Sequence, residues 1–254
     1  MAQQTNPFIK QLASSDRKLR TSALASLRSY LQSHSAPSST PLSSLDLLKL
    51  WKALFYCLYM QDKPLHQQNL ANDLAELTDV LSNSDEVVIA WLEAFWQTIA
   101  REWSGIDGLR MDKYLYLIRC YIRKGLEVCE SKGWSDEEFL GRYFEVLKAV
   151  PLSARDTKIP DGLRYHVLDI YVDELEKVDS KHEAPIERIL EPVRSLVKNT
   201  VGKAVRRRAG ECLGDERLRV WGVEIVDAKK KKTDDVEAEE EEEEEDAEFG
   251  GFDD

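Results

Sequence analysis

The residues best suited to bind a metal in this sequence are His166, Asp169 and Asp173, in the stretch "YHVLDIYVDEL". On a helix they share one face and offer one imidazole nitrogen and two carboxylates. Arg164 and Lys177 lie close by, and the sequence shows no second group of ligands. A surface histidine among charges at helical spacing is therefore the favoured interpretation. We predict no metal and no other cofactor.

Motifs of common catalytic sites are absent from the sequence, which has no GxxxxGKS/T, GxGxxG, GxSxG or HExxH. The acidic pair Glu137 and Glu138 is better explained by helix capping and by the helix dipole than by acid–base chemistry. The four histidines are scattered along the chain, and none lies in the context of a nucleophile. We therefore predict a protein that is not an enzyme and that has no small-molecule substrate.

Basic residues on one predicted helix, Arg110–Ser131, indicate a nucleic-acid contact instead. The apolar side chains of this helix share one arc of the helical wheel. Five cations fall on the opposite half: Arg110, Lys113, Arg119, Arg123 and Lys124. Tyr116 lies close to Arg119 and Arg123, and an exposed tyrosine among arginines can stack on a base. An ordinary solvated helix face is the alternative.

A second basic cluster occurs in "KNTVGKAVRRRAG", with five cations and no acid within eleven residues. Such density favours an RNA contact or a nuclear import signal over chance. Its cations are Lys198, Lys203, Arg206, Arg207 and Arg208. Together with Tyr116, Arg119, Arg123 and Lys124 they are the candidate RNA-binding residues.

The net charge of −12 is concentrated at the C-terminus. Residues 234–254 hold fourteen acidic residues and no basic one, which leaves 35 basic against 33 acidic residues in the rest of the chain. This acidic tail is of low complexity and repels itself, so it is predicted to be disordered. The preceding Lys229, Lys230, Lys231 and Lys232 are a candidate import signal, with a solvated linker as the alternative.

The apolar run "LWKALFYCLYM" raises the question of a membrane segment. The surrounding stretch Leu45–Met60 has sixteen residues and three charges, whereas a spanning helix needs about 20 mainly apolar residues. We therefore predict a core helix, with a peptide-binding groove as the alternative. The four cysteines form no CxxC pair, which favours reduced thiols in an intracellular protein.

Helices must position all these residues, because strand signals are scarce. A first helix is predicted over about Pro7–Leu31, and Pro192 is expected to kink or end a later one. Further helix starts are predicted at Ser43 or Ser44, Pro64, Ser84, the capping box Ser135–Glu138, Pro160 and Pro185. Pro64 is expected to begin a helix that reaches about Leu81.

About nine or ten helices result, and they pair at the period of about 40 to 47 residues that is typical of HEAT and armadillo repeats. We predict an all-α fold, an irregular HEAT/armadillo-like array or α-solenoid. Residues 1–228 would form this helical domain, and residues 229–254 the basic stretch and the acidic tail.

Four stretches of the sequence resemble, in order, the ribosomal RNA-processing protein 1 family of eukaryotic nucleolar proteins. The most specific pair combines WKxLFYCxYMxDKP with EWxGIDxLRxDKY, and the similarity covers about residues 6–215. The four stretches are Phe8–Leu31, Leu47–Leu77, Phe95–Arg123 and Ile159–Val178.

The resemblance implies a protein of the nucleus, mainly the nucleolus, that belongs to early pre-60S particles. It implies a non-enzymatic scaffold needed to process the 27S precursor to mature large-subunit rRNA. Its partners would be other assembly factors, ribosomal proteins and pre-rRNA, with no membrane. Animal members have a long basic C-terminal extension, and because an acidic tail follows here, a role of that extension is not carried over. A helical protein–protein adaptor in the nucleus without direct RNA contact is the alternative.

Overall fold

The structure, a computed structural model, describes residues 7–34 and 42–225 of the chain. Every regular element in these ranges is a helix, which confirms the predicted all-α fold. The α-helices are α1 (Pro7–Leu12), α2 (Arg17–His34), α3 (Ser44–Tyr59), α4 (Pro64–Glu76), α5 (Asp85–Glu102), α6 (Met111–Ser131), α7 (Glu137–Ala149), α8 (Asp161–Val178), α9 (Ile186–Ile189), α10 (Glu191–Asn199) and α11 (Lys203–Leu213). Short 3-10 helices lie at Asp79–Leu81, Trp103–Gly105, Gly108–Arg110 and Glu216–Trp221. Lys229–Lys232 and the acidic tail lie outside the described residues.

Alternate helices of the chain lie side by side, so that the molecule has two layers. In one layer α1 contacts α3, α3 contacts α5, α5 contacts α7, and α7 contacts α10. In the other α4 contacts α6, α6 contacts α8, and α8 contacts α11, while α2 reaches α4 through the ion pair Arg28–Glu76. Stacked helix pairs of this kind bury one continuous core. The predicted helical array is therefore confirmed.

The apolar run in α3 lies in the middle of this core, as predicted. Trp51 is 1% exposed, and its indole nitrogen donates a hydrogen bond to the carbonyl oxygen of Trp91 (3.1 Å). Its ring centroid lies between 4.7 and 5.0 Å from those of Trp91, Phe95 and Tyr121. Cys57, which lies on a different side of the helix from Trp51, is also buried, so α3 packs on two sides. No helix among the described residues is long and apolar enough to cross a membrane.

Helix starts follow the predicted caps with one exception. The hydroxyl of Ser43 accepts a hydrogen bond from the Asp46 amide and caps α3, as predicted. The predicted capping box at Ser135 is wrong, because Asp136 caps α7 by accepting from the Phe139 amide (3.0 Å). Trp134, which precedes Ser135, has a positive φ. The Ser135 hydroxyl donates instead to the Lys132 carbonyl oxygen (3.1 Å).

The predicted first helix is two helices, because the chain breaks between Leu12 and Arg17. The break is held by Arg20, a buried residue whose guanidinium donates to the carbonyl oxygens of Ser14 and Ser15 (both 2.9 Å). The helix that begins at Pro64 likewise ends at Glu76, short of the predicted Leu81. Pro192 lies in the first turn of α10, where proline fits, and separates this helix from α9.

Candidate nucleic-acid interface

Glu174 on α8 forms ion pairs with two arginines of the first predicted RNA-binding cluster, which lies on α6. This residue is fully buried, and its carboxylate accepts hydrogen bonds from Arg119 (2.8 Å) and Arg123 (2.6 Å) of α6. Lys177 adds a third cation, 2.8 Å from the same carboxylate. A lone buried carboxylate is unfavourable, so cations must meet it where α8 packs on α6. The two arginines therefore join α6 to α8 in this structure.

The ion pairs continue from this interface to the last 3-10 helix. Asp173 bridges Arg119 (3.1 Å) and Arg217 (3.0 Å). Arg217 also contacts Asp215 (2.7 Å) and Glu176 (3.1 Å), and its hydrogen bond to the Asp215 carboxylate raises its pKa. We call this the α6–α8 network; its four cations match its four carboxylates. Its members are Arg119, Arg123, Lys177, Arg217, Asp173, Glu174, Glu176 and Asp215.

Lys113 was predicted to lie on the half of α6 opposite the buried arc, and this prediction is wrong. Its side chain is buried and donates to the carbonyl oxygens of Tyr59 (2.7 Å) and Gln61 (2.8 Å). Burial lowers the pKa of Lys113 to about 8. The physical reason is that α6 packs against α4 on one side and α8 on the other, so both halves of its wheel are largely covered.

Tyr116 and Lys124, the other candidates on α6, are partly buried. The hydroxyl of Tyr116 donates to the side-chain oxygen of Asn72 on α4 (3.3 Å). The ammonium of Lys124 contacts Asp79 (3.1 Å) and Glu127 (2.6 Å). We call Tyr116, Arg119, Arg123 and Lys124 the α6 cluster. Its contact with RNA stays a prediction, and RNA would have to compete with these intramolecular partners.

The three residues considered for a metal site each have another partner. His166 donates from Nε2 to the Leu115 carbonyl oxygen (2.9 Å), and burial lowers the pKa of its imidazole. Asp169 pairs with Arg208 (2.6 Å), and Asp173 belongs to the α6–α8 network. Within residues 7–34 and 42–225, no group of histidine, cysteine, aspartate and glutamate has the arrangement to hold a metal ion.

The four cysteines are buried and unpaired by disulfides. Burial raises the pKa of the Cys57 and Cys120 thiols to about 11 and that of Cys212 to about 12. It also raises the pKa of Cys129. Because the thiolate is the nucleophile, such thiols are unreactive at neutral pH.

The second predicted basic cluster, on α10 and α11, contains two kinds of cation. Arg207 pairs with Glu211 one turn further along α11 (2.6 Å). Arg208 pairs with Asp169 of α8 and lies over the Tyr165 ring, 5.6 Å from its centroid. These two arginines therefore have intramolecular partners, as the α6 cations do.

Lys198, Lys203 and Arg206 are exposed and differ from the two arginines above. The Arg206 guanidinium donates to the carbonyl oxygen of Thr200 (2.7 Å), a neutral acceptor. No carboxylate within the described ranges pairs with any of these three cations. Their charges are thus open to solvent.

A groove of about 630 Å³ is lined in part by Asn199, Gly202 and Val205, which neighbour these three cations in the sequence. One wall is formed by residues 154–157 and 159–161, where α7 connects to α8, and the other by residues 199–202, where α10 connects to α11. The buried side chains of Ile159 and Val205 also line it. We call this site the basic groove, and its rim is formed by the charged residues that line it or stand next to its lining residues in the sequence.

Arg164 fixes the first wall of the basic groove. Its buried guanidinium donates to the carbonyl oxygens of Ser153 (2.9 Å) and Asp156 (2.7 Å) and to the carboxylate of Asp161 (2.8 Å). It also donates to the Ile159 carbonyl oxygen. One side chain therefore ties four points of the loop together.

The rim of the basic groove is strongly positive. Segments 153–164 and 198–206, which contain its lining residues, hold six cations and two carboxylates. Arg155 and Lys158 are exposed, and neither side chain has an ion-pair partner in the part of the chain that the structure describes. Sequence reasoning missed both, since this polar loop holds only these two cations and an aspartate between them. The available signal was that both precede Pro160, where a helix is predicted to start, and so lie in a loop.

Comparison with known proteins places this helical array in a family. A family model described as "Nucleolar protein, Nop52" matches residues 3–250. The chain belongs to this family. The nucleolar description of the Nop52 family confirms the location predicted from the sequence.

Relatives of this Nop52-family chain carry the name that the sequence resemblance predicted. It is 41% identical over 174 residues to human ribosomal RNA processing protein 1 homolog B, which is 68% of this chain and 23% of the relative. The mouse homolog A is 38% identical over 169 residues, 66% of this chain and 34% of the relative. The Caenorhabditis elegans homolog is 27% identical over 192 residues, 76% of this chain and 47% of the relative. The chain thus spans a quarter to a half of the length of these relatives.

Proposed function

We propose that this Nop52-family chain acts in ribosomal RNA processing, as a non-catalytic scaffold in early pre-60S particles during maturation of the 27S precursor. The observation that carries this proposal is its similarity to proteins named for ribosomal RNA processing, over about two thirds of the chain. A stacked helical array supports it, since such arrays present extended surfaces to several partners at once. Other assembly factors, ribosomal proteins and pre-rRNA are the proposed partners.

The absence of catalysis is part of the proposal. Catalytic nucleophiles need a depressed pKa or an adjacent base. The pKa values of all four thiols are raised, and His166 is engaged with a backbone carbonyl. Charged side chains of the α6–α8 network hold one another, which supports a structural role for them.

We infer further that residues 1–228 act as one folded unit and that Lys229–Lys232 serve nuclear import. The first inference is supported by one contiguous group of buried side chains that runs from Leu12 to Leu218. Attachment of Lys229–Lys232 to a reporter protein tests the second. The reporter should enter the nucleus, and lysine-to-alanine replacement should stop its entry.

A protein–protein adaptor without RNA contact is the second candidate function. It is favoured by the α6–α8 network, because Arg119 and Arg123 are already neutralised by Glu174. In that case the chain would bind proteins alone, and its basic clusters would serve nuclear import.

Sedimentation of the tagged full chain in cell extract tests the proposed function. It should comigrate with large-subunit precursors, and RNase treatment should shift it to lighter fractions. Depletion of the protein should cause the 27S precursor to accumulate. Comigration that resists RNase would favour the adaptor, and sedimentation as a free protein would contradict both candidates.

A further inference from the structure

We propose that the basic groove binds the sugar–phosphate backbone of RNA, a site that rests on the proposed function in ribosomal RNA processing. Its contact residues would be Arg155, which lines the groove, and four exposed cations next to lining residues in the sequence: Lys158, Lys198, Lys203 and Arg206. The α6 cluster and the paired arginines of α11 would contribute little. The site therefore combines three cations of the second predicted cluster with two cations that the sequence analysis did not single out.

The charge balance of the rim supports binding of a polyanion. Of its two carboxylates, Asp161 is paired with buried Arg164, and Asp156 accepts a hydrogen bond from the Lys158 amide. That amide is neutral, so Asp156 keeps its charge, and the rim has five exposed cations without an ion-pair partner in the described ranges against this one carboxylate. Phosphates can displace their counterions, and the release of those ions drives binding.

The chemistry of the groove interior favours the backbone over the bases. None of the thirteen lining residues described for it is aromatic, so no ring is available for base stacking. Ile159 and Val205 are buried in the groove and offer no hydrogen-bonding side chain. Contacts from the rim would reach phosphates, which carry little sequence information. Binding should therefore tolerate changes of RNA sequence.

Both walls are formed before any ligand arrives. Arg164 holds the loop 153–161, as described above. On the other wall the Gly202 amide donates to the Thr200 hydroxyl (3.3 Å), and Arg206 donates to the Thr200 carbonyl oxygen. Little order has to be gained on binding, which reduces its entropic cost.

The test measures the salt dependence of binding between the purified full chain and a single-stranded RNA oligonucleotide of mixed sequence. The variant Arg155→Glu/Lys158→Glu alters the groove, and Lys18→Glu/Lys63→Glu is its control. Lys18 and Lys63 are exposed, lie on or next to α2 and α4, and have no ion pair among the described residues. Both variants change the net charge equally, so a nonspecific charge effect would alter them alike. Circular dichroism should show the same helix content for all three proteins.

For the wild type and the control, the logarithm of the binding constant should fall with the logarithm of salt concentration with equal slopes. For the groove variant this slope should be less negative, by about 0.7 for each lost phosphate contact or about 1.4 for two. Equal slopes in both variants would overturn the groove assignment, as would a wild type that does not bind RNA at 50 mM salt.

Two further arms separate this proposal from others. A peptide with the sequence of residues 234–254 should compete only weakly; saturable binding tighter than that of RNA would assign the groove to an acidic peptide instead. In cells, wild-type comigration with RNase-sensitive precursors would uphold the proposed function even if the groove variant bound RNA normally. If the wild type does not comigrate with precursors but still binds RNA through the groove in vitro, the proposed function would be contradicted. The assignment of the groove as an RNA-binding site would then still stand.

Discussion

The interface between α6 and α8 and the basic groove are both rich in arginine and lysine, yet they differ in what the cations contact. At the interface, Arg119 and Arg123 meet the fully buried carboxylate of Glu174. At the groove, Arg155, Lys158 and Lys203 are exposed, and no carboxylate of the described residues pairs with them. The first group stabilises the array, whereas the second is available to a ligand.

This difference shows that the number of cations in a stretch of sequence does not reveal which of them are paired with carboxylates in the fold. Desolvation decides the outcome, because a buried charge needs a partner and an exposed charge does not. Arg119 and Arg123 lie on a helix with neighbours on two sides, so burial commits them to pairing. Cations in exposed loops, such as Arg155, remain hydrated and need no such partner.

The strongest test of the comparison is Glu174→Gln, which removes the charge that both arginines share. The free energy of unfolding should fall by about 2–4 kcal/mol, because a partly buried group of cations loses its carboxylate. The value should lie below that for a fully buried pair, since Arg119 and Arg123 keep 28% side-chain exposure. Urea denaturation measures it.

The matched control is Glu176→Gln, two residues along the same helix. Its side chain is 53% exposed and pairs with Arg217, so the loss should stay within about 1 kcal/mol. Equal losses in the two variants would remove the distinction between interface and surface ion pairs.

A second prediction uses Lys113, a cation of α6 that has carbonyl rather than carboxylate partners. Its pKa is about 8 in the folded state and about 10.5 when unfolded, so between these values the unfolded chain holds more protons. Raising the pH from 7.5 to 9.5 should therefore stabilise the wild type relative to Lys113→Met, by about 1 kcal/mol after solvent screening. Urea denaturation of both proteins at both pH values measures this, and a pH-independent difference would contradict it.

A third prediction concerns the stability of the groove variant. Arg155→Glu/Lys158→Glu should change the free energy of unfolding by no more than about 0.5 kcal/mol, because exposed side chains without partners contribute little. Thermal and urea denaturation should agree with the Lys18→Glu/Lys63→Glu control. A large loss of stability would place Arg155 or Lys158 in the structural group instead.

The smallest effect is expected for a chain that ends at Lys232. The described core side chains lie between Leu12 and Leu218, so removal of residues 233–254 should leave the melting temperature unchanged. Helical circular dichroism per residue should be equal or higher. A clear drop in melting temperature would show that the acidic tail supports the array.

Local sequence signals predicted most of the fold. Pro160 and Ser43 start helices where expected, and the apolar run around Trp51 is core, because short-range capping and hydrophobic periodicity act on a few neighbouring residues. The break before Arg17 depends on Arg20 and on residues 41 positions away, such as Gln61, which no local pattern reveals.

The candidate site was predicted only in part for the same reason. Lys198, Lys203 and Arg206 stand in a dense basic stretch, which made them recognisable. Partners of Arg119 and Arg123 lie more than 50 positions away, so the helical wheel left their pairing out. Arg155 and Lys158 join the other wall of the groove only when α8 packs on α11.

The aromatic group around Trp51 also provides an optical probe of the array. Three of the six tryptophans, Trp51, Trp91 and Trp96, are at most 1% exposed, so their indole emission should lie at short wavelengths and move to the red on unfolding. No tryptophan follows Trp221 in the sequence. The same fluorescence signal therefore reports on the helices alone in the full chain, in the shortened chain and in each charge variant, without an added dye.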